Sequence, residues 1–552
     1  MLRFKERDPL LTVEIIRRFF EKLSDKLSLT ESDMLDGGIG VYSLSLQLHY
    51  GETPLLQTNG KGMQPEFARA SAYAELYERF CNRYGTTGYL FDDTSEETEA
   101  SPERLAAAFP RVKGKEEAFL RYLLAECPSV REKDYIPIAA EDAPLRVDPR
   151  HIFAYCGTNG MAAGNTTEEA LVQGISEVVE RNILCRCFFA EPLQLFEIPD
   201  VILEANAPES YEKIRAIRET GFSLRFFDAA ESTGLPVVIS LWVSKAHGVH
   251  AVKFGAFPVF SVAVERCITE VMQGRGLMDY SQFMQNAPYR EVGRMEFFNM
   301  LKYGDGLVPE ELFTDAAPLQ SLSSEVYLHA PCTNREMLSH FAALGRSGGF
   351  HLYYHDVSLT PEMAAVQVFS PELNAVFPAE HLLMEDCPAE VAAFLEHPYI
   401  SSAADAALLS EAFDAMTSLP DALCARLHLT GLENCAYIYV AAVLALCGGD
   451  MQRACELLED IETTGGFEYL PDIAALRCCL RYHLSETDAV TLRKKLALWG
   501  YDDVCSEFLA EPVELCNRYL SDVLFGTLYQ RNKALTAELN HLLSQARDIN
   551  FR

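Results

Sequence analysis

Apolar positions recur at helical spacing from Leu11 to Leu27, where Ile15, Ile16, Phe19, Phe20 and Leu23 form one stripe, so an amphipathic helix is expected there. The period drops to two at Val41-Tyr42-Ser43-Leu44-Ser45-Leu46-Gln47-Leu48, which reads as a half-buried strand after the flexible Gly37-Gly38-Ile39-Gly40. A glycine turn, Thr58-Asn59-Gly60-Lys61-Gly62, is expected to lead into a helix carrying acidic residues. A second glycine-rich loop, Gly157 to Asn165, precedes a second acidic helix whose start reads as a capping box, Thr166 capping and Glu169 reaching back. Further on, Leu224–Asp228 with Pro236–Ser240 and Leu352–Asp356 with Ala364–Val368 each read as strand, Asp-headed turn, strand. This echo predicts an α+β fold with a duplicated core of mixed sheets covered by helices.

From about residue 400 the pattern becomes nearly continuous helix. Leu432–Leu446, the turn Gly448-Gly449-Asp450 and Met451–Ile461 form one hairpin; Asp472–Leu484, Asp488–Trp499 and Glu507–Leu524 are expected to continue it. These look like tetratricopeptide-type hairpins without the strict repeat signature, which suits a docking or dimerisation module. The expected division is a core at 1–385, a linker at 386–405 and an all-α domain at 406–552.

Composition narrows the class. The 552 residues hold 47 basic and 80 acidic side chains, a formal charge of −33, which counts against a general nucleic-acid-binding surface and leaves room for a basic protein partner. Sixteen cysteines are irregularly spaced with no Cys-x-x-Cys pair, and Met1-Leu2-Arg3-Phe4-Lys5-Glu6-Arg7 shows no apolar signal segment, so reduced thiols and a cytoplasmic location are expected. The longest wholly apolar run, Cys435 to Cys447, falls short of the roughly 20 residues that span a bilayer.

Three segments carry candidate chemistry: Ser71-Ala72-Tyr73-Ala74-Glu75-Leu76-Tyr77-Glu78-Arg79, Ser176-Glu177-Val178-Val179-Glu180-Arg181 and Thr269-Glu270-Val271-Met272-Gln273-Gly274-Arg275. Positions i and i+3 share a helix face, so each segment presents two oxygen-bearing side chains to one point, with an arginine close behind. Hard cations take oxygen ligands and bridge carboxylates to phosphates, while arginine forks onto phosphate oxygens. One such copy is ordinary surface decoration, but these are flanked by apolar and small residues, and buried carboxylates need partners. A Walker loop is absent, because Gly62 rather than Ser or Thr follows Lys61. His351, His355 and Asp356 read as packing on a strand, and Cys185 and Cys187 point apart on a helix.

These motifs resemble the YcaO family, whose ATP site is marked by Ser-x-x-x-Glu-x-x-Glu-Arg, a later Ser-Glu-x-x-Glu-Arg and a Gln-x-Arg segment, here Ser71–Arg79, Ser176–Arg181 and Gln273–Arg275. Thr58–Gly62 and Ala162–Asn165 match the flanking elements, and within the family the chain resembles the enterobacterial branch. The resemblance implies ATP and Mg2+ as cofactors. It implies Glu75, Glu78, Glu169, Glu177 and Glu180 on metal, and Lys5, Thr12, Lys61, Ser71, Arg79, Asn165, Ser176, Arg181, Gln273 and Arg275 on nucleotide.

It also implies phosphorylation of a backbone amide oxygen in a peptide or protein, converting a poor leaving group into phosphate, with ADP and phosphate as products. No catalytic base is named. The branch is associated with β-methylthiolation of a small-subunit ribosomal protein, as accessory to a radical methylthiotransferase, and its helical extension with homodimers. Azoline-forming members end in a proline-rich tail, whereas this chain ends Asp548-Ile549-Asn550-Phe551-Arg552, which counts against azoline formation on a peptide and leaves thioamide or azoline maturation as an alternative. A further alternative is a catalytically silent ATP-binding scaffold that docks a partner through its carboxyl-terminal helices.

Overall fold

The computed structural model describes residues 4–51, 53–85, 88–89, 98–99, 129–130, 132–188, 193–244, 250–272, 311–314, 316–374, 394, 399–414 and 436–463, with scattered single positions beyond. The chain divides into two compact units, one of residues 1–85, 93–382 and 541–552, the other of 86–92 and 383–540.

In the first unit, α1 (Pro9–Leu23) opens where Asp8 accepts from the Leu10 amide at 2.9 Å and Pro9 supplies a preset φ. Its stripe, Val13, Ile16, Phe19, Phe20 and Leu23, is buried. The helix stops before Leu27, which the chain instead commits to strand β1 (Leu27–Glu31). β1 and the short β2 (Leu35–Asp36) pair one edge of β3 (Tyr42–Tyr50), and β4 (Thr53–Gly62) pairs the other, all antiparallel. Helix α2 (Pro65–Cys81) follows and packs on β4.

Two five-stranded sheets follow. One has the order β6 (Leu145–Val147), β5 (Lys133–Pro137), β13 (Tyr353–Asp356), β14 (Ala364–Phe369), β7 (Met161–Gly164), wholly antiparallel. The other has the order β11 (His250–Ala256), β10 (Val237–Ser244), β9 (Phe222–Asp228), β8 (Phe196–Glu197), β12 (Ala317–Pro318), antiparallel except for the β8/β12 pair. Both expected Asp-headed hairpins are present, β9/β10 and β13/β14. Between them run α3 (Pro149–Cys156), α4 (Thr167–Phe188), α5 (Asp200–Asn206), α6 (Pro208–Glu219), α7 (Phe260–Thr269) and α8 (Asn334–Gly348). Helix α4 lies on β7 and β14 and reaches β11, so it borders both sheets.

Local expectations need correction at four places. Thr58–Gly62 is not a turn but the end of β4, and Gly157–Asn165 is a turn followed by β7. Glycine serves packing there: a Cβ on Gly60 would lie 1.9 Å from the Ala68 carbonyl oxygen of α2. The third acidic segment is not a continuous helix, since α7 ends at Thr269 and Glu270–Met272 is a single 3-10 turn. Only half of the capping box at Thr166 forms. The Glu169 amide donates to Thr166 Oγ1 at 3.2 Å, while the Glu169 carboxylate is taken by Lys5, the Glu6 amide and Asn165.

In the second unit, α9 (Ala403–Asp414) and α11 (Met451–Thr463) pack on α10 (Ala436–Cys447), whose residues Ala441 to Cys447 are all buried. The α10/α11 turn uses Gly449 at φ 89°, a left-handed conformation that suits glycine. Of the expected helices at 472–484, 488–499 and 507–524, Arg477, Leu480, Arg481 and Val490 are described and helical, and nearly all the rest lies outside the described residues. Among the described residues no helix is long and apolar enough to cross a membrane.

Candidate active site

Three strand-to-helix units build the site: β4 into α2, β7 into α4, and β11 into α7 with its terminal 3-10 turn. Each helix packs on the strand before it. The close approach is a backbone contact, as at Gly255 on β11, where a Cβ would lie 2.2 Å from the Ala263 carbonyl oxygen of α7.

Down α4, Glu169, Gln173, Glu177 and Glu180 recur at steps of four, four and three and make one polar stripe on a helix whose Ala170, Val172, Ile175, Val178 and Val179 are buried. The stripe holds two groups of residues, separated along the axis by about 12–17 Å at 1.5 Å per residue.

At the amino-terminal end, Lys5 Nζ donates to Glu169 Oε1 at 3.1 Å and the Glu6 amide to Oε2 at 3.0 Å. Asn165 donates to the same carboxylate at 3.0 Å, and Thr12 Oγ1 donates to Asn165 Oδ1 at 2.7 Å. Burial alone would push Glu169 up, but Lys5, the Glu6 amide and Asn165 outweigh it and hold the carboxylate below its ordinary range.

Midway along α4 the acids gather. Arg79 Nη2 lies 3.4 Å from Glu75 and its Nε 3.6 Å from Glu78. Burial lifts Glu78 well above the usual carboxylate range, Arg79 opposes it, and the charges of Glu177 and Glu75 add to it, which places α2 and α4 acids in one field. Glu177 is raised by burial against the pull of Arg181 and Arg79. Burial pushes Glu180 up to about 7, with Arg181 opposing and Glu270 reinforcing. Glu270 goes the other way. Burial would raise it, but Lys61, Lys253 and Arg181 bring it below its ordinary value, and Lys61 forms an ion pair with it.

Arg181 is disfavoured by burial yet held above its ordinary value by Glu180, Glu177 and Glu270; Arg266 is pulled down by burial and donates to Gln173 Oε1. Ser71 sits on α2, and Ser176, fully buried, donates to the Val172 carbonyl at 2.7 Å, within its own helix. Gln273 and Arg275 lie outside the described residues.

The residues named from sequence thus fall into two groups, Lys5, Thr12, Asn165 and Glu169 in one, and Lys61, Glu75, Glu78, Arg79, Glu177, Glu180 and Arg181 in the other. Sequence reasoning missed Gln173, Lys253, Arg266 and, as a site residue, Glu270. Lys253 carried a signal, being a lone lysine in the strand sequence His250-Ala251-Val252-Lys253-Phe254, and it is 2% exposed. Arg266 stands four residues before Glu270.

Among the described residues, no group of three or more His, Cys, Asp or Glu side chains stands in ligand geometry. Carboxylates raised by their own crowding and burial nonetheless suit a divalent cation whose remaining ligands are phosphate oxygens, as Mg2+ commonly takes one or two carboxylates plus phosphate. The donor set fits the ion.

Residues 59–374 match the family described as YcaO cyclodehydratase, ATP- and Mg2+-binding. The chain is 27% identical over 511 residues, 84% of each chain, to the Escherichia coli ribosomal protein S12 methylthiotransferase accessory factor YcaO. A heterocyclase in complex with substrate and cofactor superposes with a TM-score of 0.49 at 17% identity, covering 67% of this chain and 53% of that one. YcaO from Methanopyrus kandleri, bound with AMPPCP and Mg2+, gives 0.43 at 18% identity, covering 68% and 93%. With more than half of its length matched and the half-buried acids, arginines and lysines assembled as described, the chain belongs to the YcaO family, and its cofactors are ATP and Mg2+.

Proposed function

We propose that this protein uses ATP and Mg2+ to phosphorylate a backbone amide oxygen of a protein substrate, as an accessory factor in β-methylthiolation of a small-subunit ribosomal protein alongside a radical methylthiotransferase. One observation carries the reading: Glu75, Glu78, Glu177, Glu180 and Glu270, from three separate stretches, share one field with Lys61, Arg79, Arg181 and Arg266. Mg2+ held by Glu75, Glu78, Glu177 and Glu180 would neutralise charge on the phosphates. Arg79 and Arg181 fork onto phosphate oxygens; Glu169, expected on metal, has its carboxylate on Lys5, the Glu6 amide and Asn165, and is reassigned with Lys5, Thr12 and Asn165 to the other part of the nucleotide. The amide oxygen attacks the γ-phosphorus, the bond to the β,γ-bridging oxygen breaks, and ADP leaves. Water attacking that carbon then expels phosphate with the former amide oxygen and restores the amide, which leaves ADP and phosphate as the net products.

The assignment of a ribosomal target rests on similarity to the E. coli accessory factor and on the −33 charge, which complements a basic ribosomal protein. The two five-stranded sheets, each with an Asp-headed hairpin, support reading the core as duplicated. The packed helices α9, α10 and α11 support a tetratricopeptide-like docking and homodimerisation module in a cytoplasmic protein. Purified protein is expected to release ADP and phosphate from ATP, slowly without substrate, and Glu78→Gln to abolish that release while remaining folded. Unchanged turnover in the variant would reject the reading, and nucleotide binding without turnover even with the protein partner would favour a silent scaffold.

A further inference from the structure

The segment ahead of α1 lies across the first turn of α4 as a strap. Lys5 Nζ and the Glu6 amide both end on the Glu169 carboxylate, at 3.1 and 3.0 Å. Ahead of them Phe4 turns the chain at φ 63°, a left-handed conformation that a bulky residue rarely adopts, with its ring against Phe257 at 5.6 Å between centroids. A conformation of that kind persists where its surroundings hold it.

The holder is Asn334, the first residue of α8. Only 3% exposed, it donates its side-chain amide to the Phe4 carbonyl at 3.1 Å and to Glu6 Oε1 at 2.8 Å. One NH2 group therefore grips the residues on either side of Lys5, and a carboxamide suits the place because both partners are acceptors. The next residue, Arg335, pairs with Glu168 at 3.2 Å and ties α8 to the same turn of α4.

We infer that Asn334 is a positioning residue for nucleotide binding: by holding Phe4 and Glu6 it fixes the Lys5 ammonium over Glu169, in the amino-terminal group of the nucleotide site. The inference rests on the reading of Lys5 and Glu169 as part of the nucleotide site. The approach of Lys5 is thereby conditional on α8.

The test exploits a difference in sign. Asn334→Asp places an acid at a helix amino terminus, which favours α8, but turns an oxygen toward the Phe4 carbonyl and the Glu6 carboxylate, which releases the strap. Binding of Mg2+ with the non-hydrolysable analogue AMPPNP is measured by titration calorimetry on the full chain. Asn334→Asp and Asn334→Ala are each expected to raise Kd about tenfold, the scale of one lost charge-assisted hydrogen bond. Glu6→Gln alone keeps its Oε1 acceptor but loses the charge, so its Kd should rise by only about threefold. In the Asn334→Asp, Glu6→Gln double variant, the carboxamide introduced at position 6 can donate to the carboxylate introduced at position 334, so affinity should largely return. Parent affinity in Asn334→Asp alongside weakened binding in Lys5→Met would overturn the role of Asn334 and leave the site reading intact. Parent affinity in Lys5→Met would overturn the site reading and this inference with it. Weakening in Asn334→Asp that Glu6→Gln fails to relieve would mean a purely structural asparagine.

Discussion

Glu180 and Glu270 occupy one field and are driven in opposite directions, the first up to about 7 by burial, the second below its ordinary value by Lys61, Lys253 and Arg181. The sign of the resulting pH dependence follows. Unfolded, Glu180 titrates near 4.5; folded, its proton is held to about 7, so the native state binds more protons in between. Its contribution is full below the unfolded value and is lost as pH rises through the folded one. The melting temperature of metal-free protein should carry a component that falls across that window, and Glu180→Gln should lack it, as thermal scans against pH will report. In turnover the same change is expected to cost at least about 100-fold, the scale of removing one electrostatic stabiliser of a transferring group. The carboxylates themselves were legible in the sequence because two acids at i and i+3 amid alanine and valine require partners. Their cationic partners were less so: Arg266 acts on Glu177 and Glu180 from nearly 90 residues away, where no spacing rule reaches, and Lys253 acts on Glu270 from β11.

At the scale of elements, the glycines before each acidic helix read as loops because glycine punctuates turns more often than it lines helix contacts. In the fold Gly60 and Gly62 sit on β4 and Gly164 on β7, where the alternation is interrupted so that helix backbone can touch strand backbone. Gly60→Ala would put a methyl 1.9 Å from the Ala68 carbonyl oxygen and 2.4 Å from the Ala72 amide nitrogen, so α2 must shift and carry Glu75 and Glu78 with it. The expected outcome is a loss of about 1–3 kcal/mol in chemical denaturation together with loss of ATP turnover, whereas the same substitution at Gly51, whose added Cβ meets nothing within 4 Å but whose φ is 60°, should cost stability by backbone strain without touching turnover. Thr269–Met272 departs from a continuous helix for a related reason: periodicity does not distinguish an α-helix from its 3-10 ending, and Glu270, in that ending, pairs with Lys61.

For the molecule as a whole, every described site residue belongs to the unit built of 1–85, 93–382 and 541–552. Ligand stabilises only what binds it, by about 2.7 kcal/mol at a hundredfold excess over Kd. Calorimetry should therefore resolve two transitions, with Mg2+ and AMPPNP raising one and leaving the other in place; a single transition that shifts entire would show the units to unfold as one. The acidic balance was legible from composition, and so was the helical character of α10 and α11, because a wholly apolar helix bounded by Gly448-Gly449-Asp450 has few alternatives.

The central claim, that acids on α2 and α4 converge on a divalent cation gripping a triphosphate, is tested most directly by anomalous scattering from Mn2+ in crystals grown with AMPPNP. Metal is expected between the Glu75, Glu78 pair and the Glu177, Glu180 pair, in contact with phosphate oxygens. Manganese and nucleotide bound elsewhere, with those four carboxylates left uncoordinated, would contradict the account.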